Sequence, residues 1–321
     1  MKNLLLGLFL TLSIVMIGCS ESEVTNTDER TVTIEDGMGE QIIEGTPENV
    51  VVLEWSYVEH LLPLDVEPLG VADVEGYNHW VNVGDPLRES TEDIGTRSEP
   101  SLEAIASLEP DLIIGAKYRH EGIIEELEEI APTVMFSPYS EEGAEDQYEH
   151  LLNEFDSMAA IFDKQEEADE MKEKLDTTYK EQAERLESAG FDNIEAVVTQ
   201  AFSSQNTPTM RHFTDNSVVA GVLEELGIQN AVKTEEPEIY GFIETTVETL
   251  QNYQNVHFFY LVQEDDNIFD DQLADNPAWT NLEFVEENRT YKLPGDMGTF
   301  AGPLSAERLA IELTDSLIDS K

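Results

Sequence analysis

EDQYEHLLNEFDSMAAIFDKQEEADEMKEKLDTTYKEQAERLES, residues 145–188, passes through more than forty positions without a proline or a glycine. Apolar residues recur in it at intervals of three and four, from Leu151 to Phe155, Met158 and Phe162, and again from Met171 to Leu175 and Tyr179. That interval lays one apolar stripe along a helix. Five of the 17 cationic residues, Lys164, Lys172, Lys174, Lys180 and Arg185, stand in the same stretch among acids placed to pair one turn away. The pattern predicts a long amphipathic helix over residues 145–189. A coiled-coil arm would share the pattern, so the decision rests on what flanks it.

Both flanks alternate strand-like and helix-like segments. On the N-terminal side, residues 31–44 predict a β-hairpin turning at Asp36-Gly37-Met38-Gly39. Val50-Val51-Val52-Leu53 is a β-branched run of the kind buried on both faces of a parallel sheet. Helices expected at 56–62, 101–107 and 121–130 interleave with strands at 69–72, 112–115 and 133–136. On the C-terminal side, strands are expected at 196–199, 257–262 and 290–293, with helices at 217–226, 246–252 and 304–318. The fold class is therefore α/β, with two doubly wound lobes, 31–144 and 190–321, joined by one long rigid helix at 145–189. Doubly wound sheets open a crevice at the carboxyl ends of their strands, and two lobes on a rod leave a cleft between them.

The chain has 321 residues, 40% of them hydrophobic, which is enough for a sizeable core. Its 17 Lys and Arg against 69 Asp and Glu leave a formal net charge of −52. Such a charge repels nucleic-acid backbones and anionic lipid, so a nucleic-acid partner is excluded. Carboxylates spread over a surface keep it hydrated at high salt, and the acidity speaks for saline surroundings rather than for a ligand. The single cysteine, Cys19, rules out an internal disulfide framework and any CxxC motif. After Lys2, an uncharged apolar run over residues 4–17 is too short for a bilayer span of roughly twenty residues and suits a secretory signal. Residues 20–29 are polar and without periodicity, as a flexible tether would be.

Met16-Ile17-Gly18-Cys19 resembles the lipobox of bacterial lipoproteins. The resemblance implies a signal peptide at 1–18, cleavage before Cys19, lipidation of its sulfur and a lipidated tether at 19–30, anchored at the extracytoplasmic face of the cell membrane. A second resemblance covers residues 31–318. The block from Gly95 and Pro100 through Ser101-Leu102-Glu103-Ala104-Ile105 to Pro110-Asp111-Leu112-Ile113-Ile114 is similar to the periplasmic-binding-protein-like ferric siderophore receptors, the substrate-binding lipoproteins of iron-import ABC transporters. Thr209-Met210-Arg211-His212-Phe213 resembles their second-lobe signature, and Phe300-Ala301-Gly302-Pro303 the start of their last helix. What this implies is a helical-backbone (class III) binding protein that is not an enzyme. It would have no cofactor, and its ligand would be an Fe(III)-siderophore. Its partners would be an ABC permease and, through it, an ATPase subunit, and it would work as a monomer.

Arg97, with Lys117-Tyr118-Arg119-His120, resembles the branch that takes ferric citrate and citrate-based or hydroxamate siderophores. A planar guanidinium grips carboxylate or hydroxamate oxygens through parallel hydrogen bonds. With only 17 cations in the chain, arginines in two expected cleft loops and a third at Arg211 are the primary ligand-binding candidates, against the plainer reading of ion pairs with surrounding acids. Trp55, Tyr77, Trp80 and Tyr240 are candidate aromatic walls, with core or rim packing as the alternative. His79, His120 and His212 lack metal-ligand spacing, so no protein-held metal is expected and iron would be held by its chelator. By resemblance, Glu103 and Glu248 would be the permease-docking acids, one per lobe. The same scaffold binding haem or a cobalamin is the alternative. A membrane-anchored hydrolase has no support from spacing, since no nucleophile elbow, phosphate loop or dinucleotide fingerprint is present.

Overall fold

A computed structural model describes residues 30–84, 87–300 and 302–321. The expected signal peptide, most of the tether and Cys19 lie outside the described residues.

The hairpin forms as expected from β1 (Thr31–Asp36) and β2 (Gly39–Glu44), paired antiparallel. Its turn is tied to the first lobe by the Gly37 N–H, which donates to Met135 O at 2.7 Å. A β-carbon at Gly37 would stand 2.7 Å from that same oxygen, so the approach requires glycine. The first lobe is a parallel sheet of β3 (Val50–Val52), β4 (Gly70–Val71), β5 (Glu92–Asp93), β6 (Leu112–Ala116) and β7 (Thr133–Phe136), in the order β5-β4-β3-β6-β7. Every side chain of β3 is buried, as its unbroken β-branched run requires. Strand order reverses at β3, and the chain leaves β3 and β6 side by side at their carboxyl ends. That reversal is the switch point at which such sheets open a crevice.

The second lobe is α/β as expected, and its sheet is mixed rather than wholly parallel. Its strands are β8 (Glu195–Ser204), β9 (Thr207–Phe213), β10 (Gln229–Asn230), β11 (Phe242–Thr245), β12 (His257–Val262) and β13 (Thr290–Pro294). They run in the order β11-β9-β8-β12-β13, with β10 paired to β8. Strands β8, β12 and β13 are parallel, but β9 is antiparallel to both β8 and β11. The cause is a tight hairpin whose corner residues, Gln205 and Asn206, both take left-handed φ values of 51° and 61°. Such corners match the twist of paired strands, and Gln-Asn lacks the glycine that usually announces one.

The segment expected as one helix at 145–189 is two, Gln147–Phe162 and Gln165–Ala189. Asp163 between them is left-handed, with φ 58°, a conformation Asp tolerates better than most residues. Arg30 stabilises the break. Its guanidinium donates to the carbonyls of Ala160 and Ile161 at the end of the first helix and stands 3.4 Å from Asp163. The second helix, 25 residues and about 37 Å long, packs on the terminal helix Pro303–Asp319 and also reaches the Leu62–Leu64 turn of the first lobe. One apolar core runs from Val50 and Tyr57 in the first lobe to Phe213 and Leu313 in the second. The lobes therefore share buried surface as well as a connector. No helix among the described residues is long and apolar enough to cross a membrane.

Candidate functional site

A cavity of about 580 Å³ lies between the lobes. Its N-terminal wall is built where β3 and β6 end. Glu54 follows β3 and caps the helix Trp55–Leu61, its Oε1 accepting from the Trp55 N–H at 3.1 Å. The same Oε1 accepts from Arg97 Nη1 at 2.8 Å, while Oε2 accepts from Arg119 Nε and from the Tyr118 hydroxyl, each at 2.9 Å. Burial by itself would raise the Glu54 carboxyl, but the Arg97 and Arg119 guanidiniums and the Tyr118 hydroxyl outweigh it and hold the group below its ordinary value. One buried carboxylate thus gathers two arginines at the cleft.

Each arginine is also fixed from behind. The Arg97 guanidinium lies 3.4 Å over the Trp55 ring, and Trp55 is held by its indole N–H donating to Ala72 O at 3.0 Å. His120 accepts from the Ala116 N–H on Nδ1, so Nε2 carries the proton and donates to Arg97 O at 2.8 Å. Burial lowers His120 and keeps it neutral in this role. Gly95, with φ 96°, supplies the turn that brings Arg97 back from β5. Arg119 Nη1 donates to Ser98 Oγ at 3.0 Å and Nη2 to Tyr118 at 2.9 Å.

The opposite wall is aromatic. Arg211 on β9 lies 4.9 Å from the Phe202 ring and 4.8 Å from the Phe242 ring, and its Nη1 donates to Gln200 Oε1 at 3.3 Å. Its buried Nε makes no hydrogen bond among the described residues, the nearest carboxylate oxygen, of Glu244, standing 3.8 Å away. Tyr118, Tyr139 and Tyr240 pack edge-on in series, with ring centres 5.0 and 5.1 Å apart, and so span the mouth from one lobe to the other. Phe242 and Phe300 continue the apolar face.

The structure thus brings Arg97, Arg119, Arg211, Trp55, Trp80 and Tyr240 to one cavity. It does not bring Tyr77. Tyr77 stands on a helix, Val74–Trp80, capped by Asp73. Tyr77 on it is 1% exposed and belongs to the core, one turn away from the cleft residue Trp80. Glu103 and Glu248 are exposed, one on each lobe, and Glu248 accepts from the Thr246 hydroxyl. His212 is buried against Thr199, and no group of three or more potential metal ligands occurs among the described residues. Sequence reasoning missed Glu54, Tyr139 and Phe202. For Glu54 a signal was present, an acid directly after the buried apolar run Val50–Leu53, where crevice residues stand.

A family model described as "Periplasmic binding protein" matches residues 50–297. The chain is 29% identical over 314 residues to the Fe(3+)-citrate-binding protein YfmC of Bacillus subtilis, covering 95% of this chain and 94% of that one. It is 28% identical to the iron(3+)-hydroxamate-binding protein FhuD of Escherichia coli, over 86% of this chain and 88% of that protein. Among solved structures, Vibrio cholerae FhuD bound to Fe3+–Desferal superposes with a TM-score of 0.76 at 27% identity, covering 85% of this chain and 98% of that one.

Proposed function

Because the chain belongs to the periplasmic binding protein family, whose members are transporter substrate-binding proteins and not enzymes, we propose that it captures a ferric siderophore of citrate or hydroxamate type in this cleft and delivers it to an ABC permease. The observation that carries the reading is the convergence of Arg97, Arg119 and Arg211, from separate stretches of chain, on one aromatic-walled cavity between the lobes. A protein of net charge −52 repels an anionic cargo at a distance, and positive groups at the point of contact offset that. Glu54 cancels part of this charge and Glu244 stands near Arg211. The cleft therefore suits a chelate of modest negative charge, a balance that a mixed citrate–hydroxamate carrier has. The names of the relatives, which include both a ferric citrate and a ferric hydroxamate binder, support the same range. Iron arrives inside its chelator, which agrees with a cleft whose ligating potential lies in guanidinium and aromatic groups.

Glu103 and Glu248, exposed on opposite lobes, are assigned to docking on the permease, whose ATPase subunit would supply the energy. Lipidation of Cys19 would hold the protein at the extracytoplasmic face of the membrane. The test of cargo is quenching of intrinsic fluorescence in protein lacking residues 1–19, titrated with ferric citrate, a ferric citrate–hydroxamate, haem and a cobalamin. Quenching by the ferric chelates, lost in Arg97→Ala and Arg119→Ala, is expected. Tight binding of haem or the cobalamin alone would replace the cargo, and equal chelate binding by the arginine variants would remove the cleft assignment. For docking, Glu103→Arg with Glu248→Arg is expected to abolish cellular iron uptake while leaving chelate affinity intact.

A further inference from the structure

Glu59, on the helix that begins at the cleft with Trp55, is fully buried. Its Oε2 accepts from the backbone N–H of Gly302 at 3.2 Å and of Ser305 at 3.0 Å. These amides open the terminal helix Pro303–Asp319, whose own N-cap residue, Gly302, provides no side-chain hydrogen bond. A helix start leaves several N–H groups without partners. Here a carboxylate from the opposite lobe supplies the acceptor and meets the positive end of the helix dipole. The fit is close, for a β-carbon at Gly302 would stand 2.7 Å from Cβ of Glu59 and 3.1 Å from its carbonyl carbon.

A second tie crosses the same junction six residues earlier. The Asn82 N–H donates to Asp296 O at 2.8 Å and its Nδ2 to Asp296 Oδ2 at 3.0 Å. Arg308 closes the set, donating to Asn82 O at 2.6 Å and to Asp296 Oδ1 at 2.9 Å. Between the two ties lie Met297, Gly298, Thr299 and Phe300, all of which face the cavity. The stretch is C-terminal in sequence and anchored at both ends to the first lobe.

We infer that Glu59 is a positioning residue for cargo binding. By capping the terminal helix from across the lobe junction it fixes residues 297–300, so that this part of the cleft wall moves with the N-terminal lobe. The role in binding rests on the cleft being the cargo site; the tie itself does not. Around the Glu59 carboxyl are Tyr77 from the helix Val74–Trp80 and Ser305 and Arg308 from the terminal helix. His60 beside it turns instead to the carbonyls of Ser56 and Leu151. Burial raises the Glu59 carboxyl to about 7 against the hydrogen bonds of Ser305 and Gly302 and the charge of Arg308. Opening the tie to water then releases a proton, so the closed form is favoured at the lower pH.

The experiment is amide hydrogen exchange at Gly302 and Ser305 in chelate-free protein, alongside fluorescence titration of the same samples with ferric citrate and ferric desferrioxamine B. In Glu59→Ala, exchange at both amides is expected to accelerate by about a hundredfold and chelate affinity to fall about tenfold, in line with leaving two buried N–H donors without an acceptor. Glu59→Gln, which keeps an acceptor oxygen, is expected to restore both to within about threefold. Gly302→Ala leaves the carboxylate in place but forces the backbones apart, and it is expected to reproduce the Glu59→Ala pair of changes. After correction for intrinsic base catalysis, protection of the Ser305 amide is expected to fall as pH rises from about 5 to about 7 in the wild type and to stay level in Glu59→Gln. Unchanged exchange in Glu59→Ala overturns the tie. An affinity loss that Glu59→Gln does not rescue overturns the positioning role. If the wild type binds neither chelate while exchange behaves as expected, the cargo reading and the role in binding fall and the lobe tie stands.

Discussion

The two walls of the cleft solve the same problem differently. On the N-terminal wall, Arg97 and Arg119 project from the ends of a parallel sheet and are locked by Glu54, Trp55, Ser98 and His120. On the C-terminal wall, Arg211 stands on an antiparallel hairpin between two phenylalanine rings, with one long hydrogen bond to Gln200 and a buried Nε that has none among the described residues. The first wall is preorganised and partly neutralised. The second has donor capacity left for a ligand. Affinity gained at a locked arginine comes from avoided reorganisation, whereas affinity gained at Arg211 comes from satisfying a group that is short of partners.

The largest expected effect breaks the first wall. Glu54→Ala leaves two partly buried guanidiniums without their shared carboxylate and is expected to cost about 3–5 kcal/mol of folding stability, read by urea unfolding at neutral pH. A cost under about 1 kcal/mol would show the network to be ornamental. Next come the arginines. Arg97→Ala is expected to weaken both stability and chelate binding, because Glu54 loses a partner. Arg211→Ala is expected to reduce chelate affinity about ten- to a hundredfold while moving stability by no more than about 0.5 kcal/mol. Equal stability losses for the two variants would erase the distinction between the walls.

Acid sharpens the comparison further, because Glu54, which caps the helix Trp55–Leu61, and Glu59, five positions later within it, carry opposite shifts. Glu54 is held below 4.5. Its contribution to stability is present above that value and is lost as pH falls through its folded pKa, so the wild type should converge on Glu54→Gln in strong acid. Glu59, raised to about 7, acts in the other direction. Stability falls as pH rises from its ordinary value of 4.5 towards 7 and is level beyond. Glu59→Gln should therefore match the wild type near pH 5 and exceed it by about 2–3 kcal/mol at pH 8. Parallel pH curves for either pair would refute the assignment.

The smallest effect concerns approach. Raising salt from about 20 mM to about 500 mM shortens the screening length several-fold, which relieves the repulsion between an acidic protein and an anionic ferric chelate. Stopped-flow association is expected to quicken a few-fold. A slower rate at high salt would mean that the cleft arginines, and not the acidic exterior, dominate the far field.

Much of this molecule is legible in its sequence alone. The buried run at Val50–Val52 and the strands at Leu112–Ala116 and His257–Val262 follow from residue type, because burial on two faces leaves a continuous apolar mark, and the hairpin before them follows from its glycine turn. The helix break at Asp163 left no such mark. It depends on Arg30, 133 positions earlier, capping carbonyls that sequence alone leaves exposed. The antiparallel β9 was hidden in the same way, since its corner uses Gln205 and Asn206 in place of glycine.

At the cleft, three arginines were recognisable because cations are scarce in so acidic a chain; Arg97 and Arg119 follow strand ends, whereas Arg211 lies within β9. Tyr77 was misplaced because residues three apart share one helix face, so spacing does not separate it from Trp80, and only packing decided that Trp80 meets the cleft while Tyr77 enters the core. What the sequence determined by itself was local: which segments are apolar enough to be strands, where the chain turns, and which charges are rare. What the tertiary structure decided was charge compensation. Whether Glu54 serves the arginines or Glu59 a helix end depends on partners 43 to 246 residues away, and no local pattern encodes a distance across the fold.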